Sequence, residues 1–148
     1  MSGQTQHKVR LLRIGEEADA QRIDNFLMDL VMDQANVERL LDALLELHFE
    51  TLDHVIESVG DLVDIVRFGD DLGMDNGPLM SPQTYRDIFK PRHAALNAYV
   101  HERSSMKTFL HSCGSLYDLL PDIVETGVDI LNPVQISAAN MEPERLKA

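Results

Sequence analysis

Leu62-Val63-Asp64-Ile65-Val66-Arg67-Phe68 is where the chain changes period. From Ile23 up to this point apolar residues recur at helical spacing, whereas this run is short, β-branched and bounded by Gly60 and Gly69, so it reads as a strand. On its C-terminal side, residues 69–80 hold three glycines, three aspartates, Asn76 and Pro78, the composition of a loop. Ser81-Pro82 then opens a helix: serine caps it, and proline takes the first position, where a missing N–H costs nothing. That helix is expected to reach about Arg103, with Tyr85, Ile88, Phe89, Ala95, Leu96 and Tyr99 turned inward. A second strand, Met106 to His111, leads into Ser112-Cys113-Gly114. A helix over about 116–126 stops at Gly127. The third strand, Val128 to Leu131, ends at Asn132-Pro133, and a last helix opens near Asn140 with Pro143 in its first turn.

On the N-terminal side, Phe26, Leu27, Leu30 and Val31 have helical spacing. A second helical run, read as capped by Asn36, carries Val37, Leu40, Leu41, Leu44, Leu45 and Phe49 on one face and continues to Val59. Met28, Met32 and Met80 read as core filler. Residues 1–22 have mixed charge and little periodicity; within them residues 9–14 fit either a short strand or a ragged helix start.

Strands alternating with helices make a parallel α/β protein. Polar and reactive residues follow each strand: Asp70 and Asp71, then His111 and Cys113, then Asn132 and Gln135. Such placement belongs to the C-terminal face of a TIM (β/α)8 barrel, and an open doubly wound sheet shares it. No strand leads into G-x-G-x-x-G, which removes the dinucleotide-binding form of the open sheet. Three to four βα units cannot close an eight-stranded barrel, which takes about 250 residues. The expected fold is therefore a partial barrel over residues 23–148, with 1–22 an unplaced segment. An uncovered parallel sheet is unstable alone, so either the chain is a fragment or a partner chain completes the barrel.

With 25 acidic against 13 basic residues and a net charge of −12, the chain lacks the basic footprint that nucleic acid or an anionic membrane needs. It also lacks an apolar run long enough to span a bilayer and an N-terminal secretory pattern. One cysteine excludes an internal disulfide and suits the cytoplasm.

At the strand ends, His111 and Cys113 are two residues apart, and in extended backbone positions i and i+2 point to one side. Imidazole and thiolate are both zinc ligands, but a catalytic site needs a third protein donor. A buried cysteine beside a hydrogen-bonded histidine is the plainer alternative. Asp70 and Asp71 are candidate catalytic carboxylates, of which only one is expected to face the site; turn capping is their other reading. Asn132 and Gln135 are candidate substrate-binding amides, with a turn role as the alternative. His48 and His54 fall on nearly opposite faces of their helix, and His93 and His101 read as solvated on a surface helix.

Gly69-Asp70-Asp71-Leu72-Gly73 with Asn76-Gly77-Pro78, then Ser81-Pro82, Tyr85 and Phe89-Lys90-Pro91-Arg92, resembles the uroporphyrinogen decarboxylase superfamily. So do Phe109 to Ser115 and Gly127 to Gln135. The resemblance runs from about Asn25 to Lys147 and implies the middle of a TIM barrel. It implies one of two chemistries. Decarboxylases of tetrapyrrole biosynthesis act on uroporphyrinogen without metal. Corrinoid-dependent methyltransferases use zinc to activate a thiol, with ligands in a His-x-Cys motif and a later cysteine. His111 and Cys113 match that motif, so the resemblance implies zinc-assisted methyl transfer as the parent chemistry, with a corrinoid or a methylated substrate as methyl donor and a corrinoid protein, or a chain completing the barrel, as partner. The later cysteine has no counterpart here, which leaves the implied zinc site incomplete. Decarboxylation is the runner-up, and an inactive fragment serving as an assembly or binding module is a third reading.

Overall fold

The computed structural model describes residues 11–13 and 23–147, with side chains from Asn25 to Lys147. In chain order the elements are β1 (Leu11–Arg13), α1 (Ile23–Met32), α2 (Gln34–Val59), β2 (Ile65–Gly69), a small hairpin β3 (Gly73–Met74) and β4 (Gly77–Pro78), and α3 (Pro82–Thr84). A π turn (Tyr85–Phe89) joins α3 to α4 (Lys90–Arg103); β5 (Lys107–His111), α5 (Leu120–Glu125), β6 (Ile130–Asn132) and α6 (Pro143–Leu146) follow. β1 settles the reading of residues 9–14 as a strand for its middle; Val9, Ile14 and the rest of 1–22 lie outside the described residues.

Four strands form one sheet in the order β1-β2-β5-β6, and every pair is parallel. This is the partial (β/α) barrel expected. The alternation of burial along the strands shows how it is packed. Val66 and Phe68 of β2, and Thr108 and Leu110 of β5, are buried, while Ile65, Arg67, Phe109 and His111 between them are half-buried. Side chains of even number therefore face the helices. Val66 and Phe68 pack with Leu52 of α2 and with Leu96 and Val100 of α4. Leu110 joins Tyr85, Ile88, Leu119, Ile123 and Met141 in a second cluster. Each such side chain, fully buried, contributes about 1.5–3 kcal/mol. Odd-numbered side chains face the other way, toward the barrel interior.

Local chemistry sets the element ends. Asp33, not Asn36, caps α2: its carboxylate accepts from the Asn36 N–H at 3.2 Å, so the helix starts two residues before the expected cap. Ser81 Oγ accepts from the Thr84 N–H at 3.1 Å, as the Ser-Pro pair implied. Gly127 turns the chain with φ +82° between α5 and β6. Buried Asp122 accepts from Arg86 Nε at 2.9 Å and Lys90 Nζ at 2.8 Å, tying α5 to the π turn and α4.

The methionine reading fails in α1, where Met28 and Met32 are 57% and 77% exposed. Leu40 and Leu44 of α2 are also exposed, and only Val37 and Leu52 of that helix are buried. Their spacing is that of an amphipathic helix, but no element of the described residues covers this part of its face. No helix among the described residues is long and apolar enough to cross a membrane.

Candidate metal centre

Register decides which polar groups meet. Gly69 pairs with His111, and His111 pairs with Asn132. One step past the ladder, the Asp70 N–H still donates to the His111 carbonyl at 2.9 Å, so β2 stays extended. Parity then sends Asp70 to the helix side with Phe68, and Asp71 to the interior side with Arg67 and Gly69. His111 and Cys113 lie on the interior side of β5. Asp71, forty-two residues from Cys113 in sequence, is beside it in space, and its Oδ1 accepts from the Cys113 N–H at 3.0 Å.

A carboxylate oxygen of Asp71, a ring nitrogen of His111 and Sγ of Cys113 lie within 4.8 Å of one another. The sequence offered two donors, His111 and Cys113; the structure brings a carboxylate oxygen of Asp71 beside them. Asn132 Oδ1 is 3.0 Å from His111 Nδ1. A carbonyl oxygen only accepts, so Nδ1 carries the hydrogen and Nε2 presents a lone pair. That lone pair faces Cys113 Sγ at 3.4 Å. Zinc–sulfur and zinc–nitrogen bonds of about 2.3 and 2.0–2.1 Å at a tetrahedral angle would set the two atoms roughly 3.5 Å apart. The nitrogen–sulfur spacing fits a zinc ion, and a carboxylate oxygen of Asp71 lies within 4.8 Å of both as a third donor type.

Burial, and next the charge and hydrogen bond of Asp71, push the Cys113 thiol above its ordinary value, with Arg67 acting in the opposite direction. The thiol then keeps its proton at physiological pH, with the Asp71 carboxylate and, at 3.4 Å, His111 Nε2 as its two acceptors. A bound dication would reverse that balance, because a coordinating thiol gives up its proton.

Two glycines allow the convergence. A Cβ on Gly73 would stand 2.5 Å from the Cys113 carbonyl oxygen, and one on Gly114, at φ +86°, would stand 2.5 Å from the Gly73 carbonyl carbon. The Ser115 N–H donates to the Met74 carbonyl at 2.8 Å across the same contact. Backbone lies on backbone there, which draws the loop after β2 onto the turn after β5 and carries Asp71 with it.

Asn132 and Gln135, read from the sequence as substrate-binding, have their side-chain oxygens bonded to the site's own frame: Asn132 Oδ1 to His111, and Gln135 Oε1 accepting from the Gly114 N–H at 2.9 Å. Asp70 does not join the donors. His93, read as solvated, is half-buried with Nε2 3.2 Å from Asp70 Oδ2; His101 bonds Asp129 at 2.7 Å. Sequence reasoning missed the role of Gly73 and the choice of Asp71 over Asp70. Counting parity from Phe68, as a helix-facing residue, was the one signal that could have made that choice.

A parallel sheet backed by helices, with its polar groups gathered at the carboxyl ends of the strands, is consistent with part of a scaffold of the (β/α)-barrel class. Within that class, the family model described as uroporphyrinogen decarboxylase (URO-D) matches residues 15–138. The chain belongs to this family. Among solved structures, a methyltransferase from Methanosarcina mazei is similar, with a TM-score of 0.59 and 22% identity over 74% of this chain. The chain spans 30% of the length of that methyltransferase. No curated protein matches the chain.

Proposed function

We propose that the chain supplies the metal-binding segment of a methyl-transfer site, in which Asp71, His111 and Cys113 hold zinc. The intact site would pass a methyl group from a corrinoid or a methylated substrate to a thiol, with a corrinoid protein, or a chain completing the barrel, as partner. One observation supports this above the rest: three unlike donors from two strands converge, with the histidine tautomer set to leave Nε2 toward the metal position. Zinc held there would lower the pKa of a thiol bound at its open position and keep it as a thiolate nucleophile. The chain's own residues do the rest. Asn132 orients His111, Asp71 holds the Cys113 backbone, and Gln135 holds Gly114. A thiol ligand requires a reducing compartment, which is met by the cytoplasm.

The similar solved structure carries the name methyltransferase, while the family takes its name from the decarboxylase. Metal-free decarboxylation of uroporphyrinogen, with Asp70 or Asp71 against the substrate, is the competing reading. Zinc analysis separates the two. After equilibration with zinc and dialysis, the purified chain should retain stoichiometric metal, and Cys113→Ser should lose it. A folded chain that retains none would remove the methyl-transfer reading and leave decarboxylation or a non-catalytic binding role.

A further inference from the structure

Asp70 and Asp71 adjoin, yet only one of them reaches the centre, and the helix layer shows what holds the other. His93 of α4 stands behind Asp70, its Nε2 3.2 Å from Asp70 Oδ2. Beyond it the Tyr85 hydroxyl is 3.0 Å from His93 Nδ1. The bond directions follow from chemistry. A carboxylate only accepts, so Nε2 bears the hydrogen, and Nδ1 is left to accept from the Tyr85 O–H. Tyr85 is fully buried and the His93 side chain is 16% exposed, so water competes little for the bond between them; Asp70, 44% exposed, meets His93 from the solvent side. Burial, with the charges of Asp70 and Asp122, holds the Tyr85 phenol far above its ordinary value, so it remains a donor. Tyr85 also begins the π turn, in which the Lys90 N–H bonds its carbonyl five residues back. Such turns inside helices are frequent at functional sites.

We propose that Tyr85, His93 and Asp70 form a positioning chain for the metal centre: by pinning Asp70 to α4, they select Asp71 as the carboxylate that meets His111 and Cys113. The proposal deepens the metal reading and rests on it. Adjacent aspartates in a solvated loop compete for a cation, and a residue of wrong parity entering the site would twist the backbone at 70–72. That backbone carries two links to β5, Asp70 N–H to the His111 carbonyl and Leu72 N–H to Ser112 Oγ at 3.0 Å. With Asp70 bonded to His93, its carboxylate is withdrawn and the strand parity is kept to Asp71.

The test is titration of the full chain with Co2+, a probe for zinc, followed by the thiolate-to-cobalt charge-transfer band, with a thermal melt of each metal-free variant alongside. Losing a supporting hydrogen bond of this type costs on the order of 10–100-fold in metal affinity, and His93→Leu should lose that much. His93→Gln, whose amide N–H still reaches toward a carboxylate, should recover most of it. Tyr85→Phe, which removes only the far bond and keeps the ring in the core, should fall between His93→Leu and the wild type. A merely structural role would make affinity follow melting temperature across the set, with no recovery in His93→Gln. His93→Leu binding as tightly as the wild type, or His93→Gln as poor as His93→Leu, overturns the proposal while the metal centre stands. A wild-type chain that takes up no cobalt removes the metal centre and the positioning chain together.

Discussion

At the amino end of β5 and β6, the Asp129 carboxylate accepts from Thr108 N–H at 2.8 Å, Thr108 Oγ at 3.2 Å, Lys107 Nζ at 2.9 Å and His101 Nε2 at 2.7 Å. At the carboxyl end, Asp71 accepts from the Cys113 N–H and has a carboxylate oxygen within 4.8 Å of a His111 ring nitrogen and of the Cys113 sulfur. Burial alone would raise the Asp129 carboxyl, but the bonds from Lys107, the Thr108 backbone and His101 hold it far below the usual carboxylate range. The amino end spends its carboxylate on closing the sheet. The carboxyl end gathers a carboxylate, an imidazole and a thiol that are linked by hydrogen bonds among themselves and could also converge on a cation. This is the division of labour expected between the stability face and the functional face of a barrel.

The largest effect should come from breaking the carboxyl end. Cys113→Ser or His111→Ala should cost metal affinity more than the roughly 10–100-fold that a lost supporting bond costs. Asp71→Ala should follow them in affinity, yet stay within about 1 kcal/mol of the wild type in stability, since it gives up one exposed hydrogen bond. Isothermal titration with zinc and urea unfolding of the metal-free proteins measure the two quantities. Equal destabilisation by Asp71→Ala and Asp129→Ala would erase the distinction between the ends.

The second effect is at the amino end. Asp129→Ala strands the Thr108 N–H on a buried residue and leaves Lys107 and His101 without their carboxylate, a loss of about 2–4 kcal/mol. Urea unfolding should show it, while the folded fraction still binds zinc. Acid should reproduce part of this loss. The folded-state value of Asp129 is depressed, so its stabilisation is complete above the unfolded value of about 3.9 and is lost as pH falls below it. Asp122, held low by the hydrogen bonds from Arg86 and Lys90, has the same sign. The wild type should therefore lose stability from about pH 4 downward, and Asp129→Asn should show a shallower fall without becoming flat.

How far the chain was readable follows the same geography. The strands are local patterns, so β2, β5 and β6 fall within a few residues of their expected places, and His111 with Cys113 is a local pair whose parity needs no partner. Asp71 needed the register between segments forty-two residues apart, which nothing within either segment states. His93 read as a surface residue because its helix is amphipathic, and its partners come from a strand end and from a residue across the π turn. Met28, Met32, Leu40 and Leu44 show the opposite failure. Helical spacing marks a face as apolar, but burial depends on whether another element arrives to cover it.

The smallest effect sharpens the comparison most cleanly, because the two ends hold matching glycines. Gly127 at the amino end has φ +82° and Gly114 at the carboxyl end has φ +86°, so alanine meets the same left-handed backbone at both. That conformation alone costs an alanine about 1–2 kcal/mol. At Gly127 a Cβ meets nothing within 4 Å, so Gly127→Ala should lose about 1 kcal/mol of stability and leave zinc binding unchanged. At Gly114 the same methyl group would lie 2.5 Å from the Gly73 carbonyl carbon and 2.8 Å from the Met74 nitrogen. Those are backbone atoms and cannot rotate aside. The β2 loop would have to lift, taking Asp71 from its place beside Cys113, so Gly114→Ala should lose metal affinity as well as more stability than Gly127→Ala. Thermal melts and zinc titrations of the two variants, run side by side, provide the comparison. If both lose the same stability and both keep zinc, the close backbone approach is not what assembles the centre.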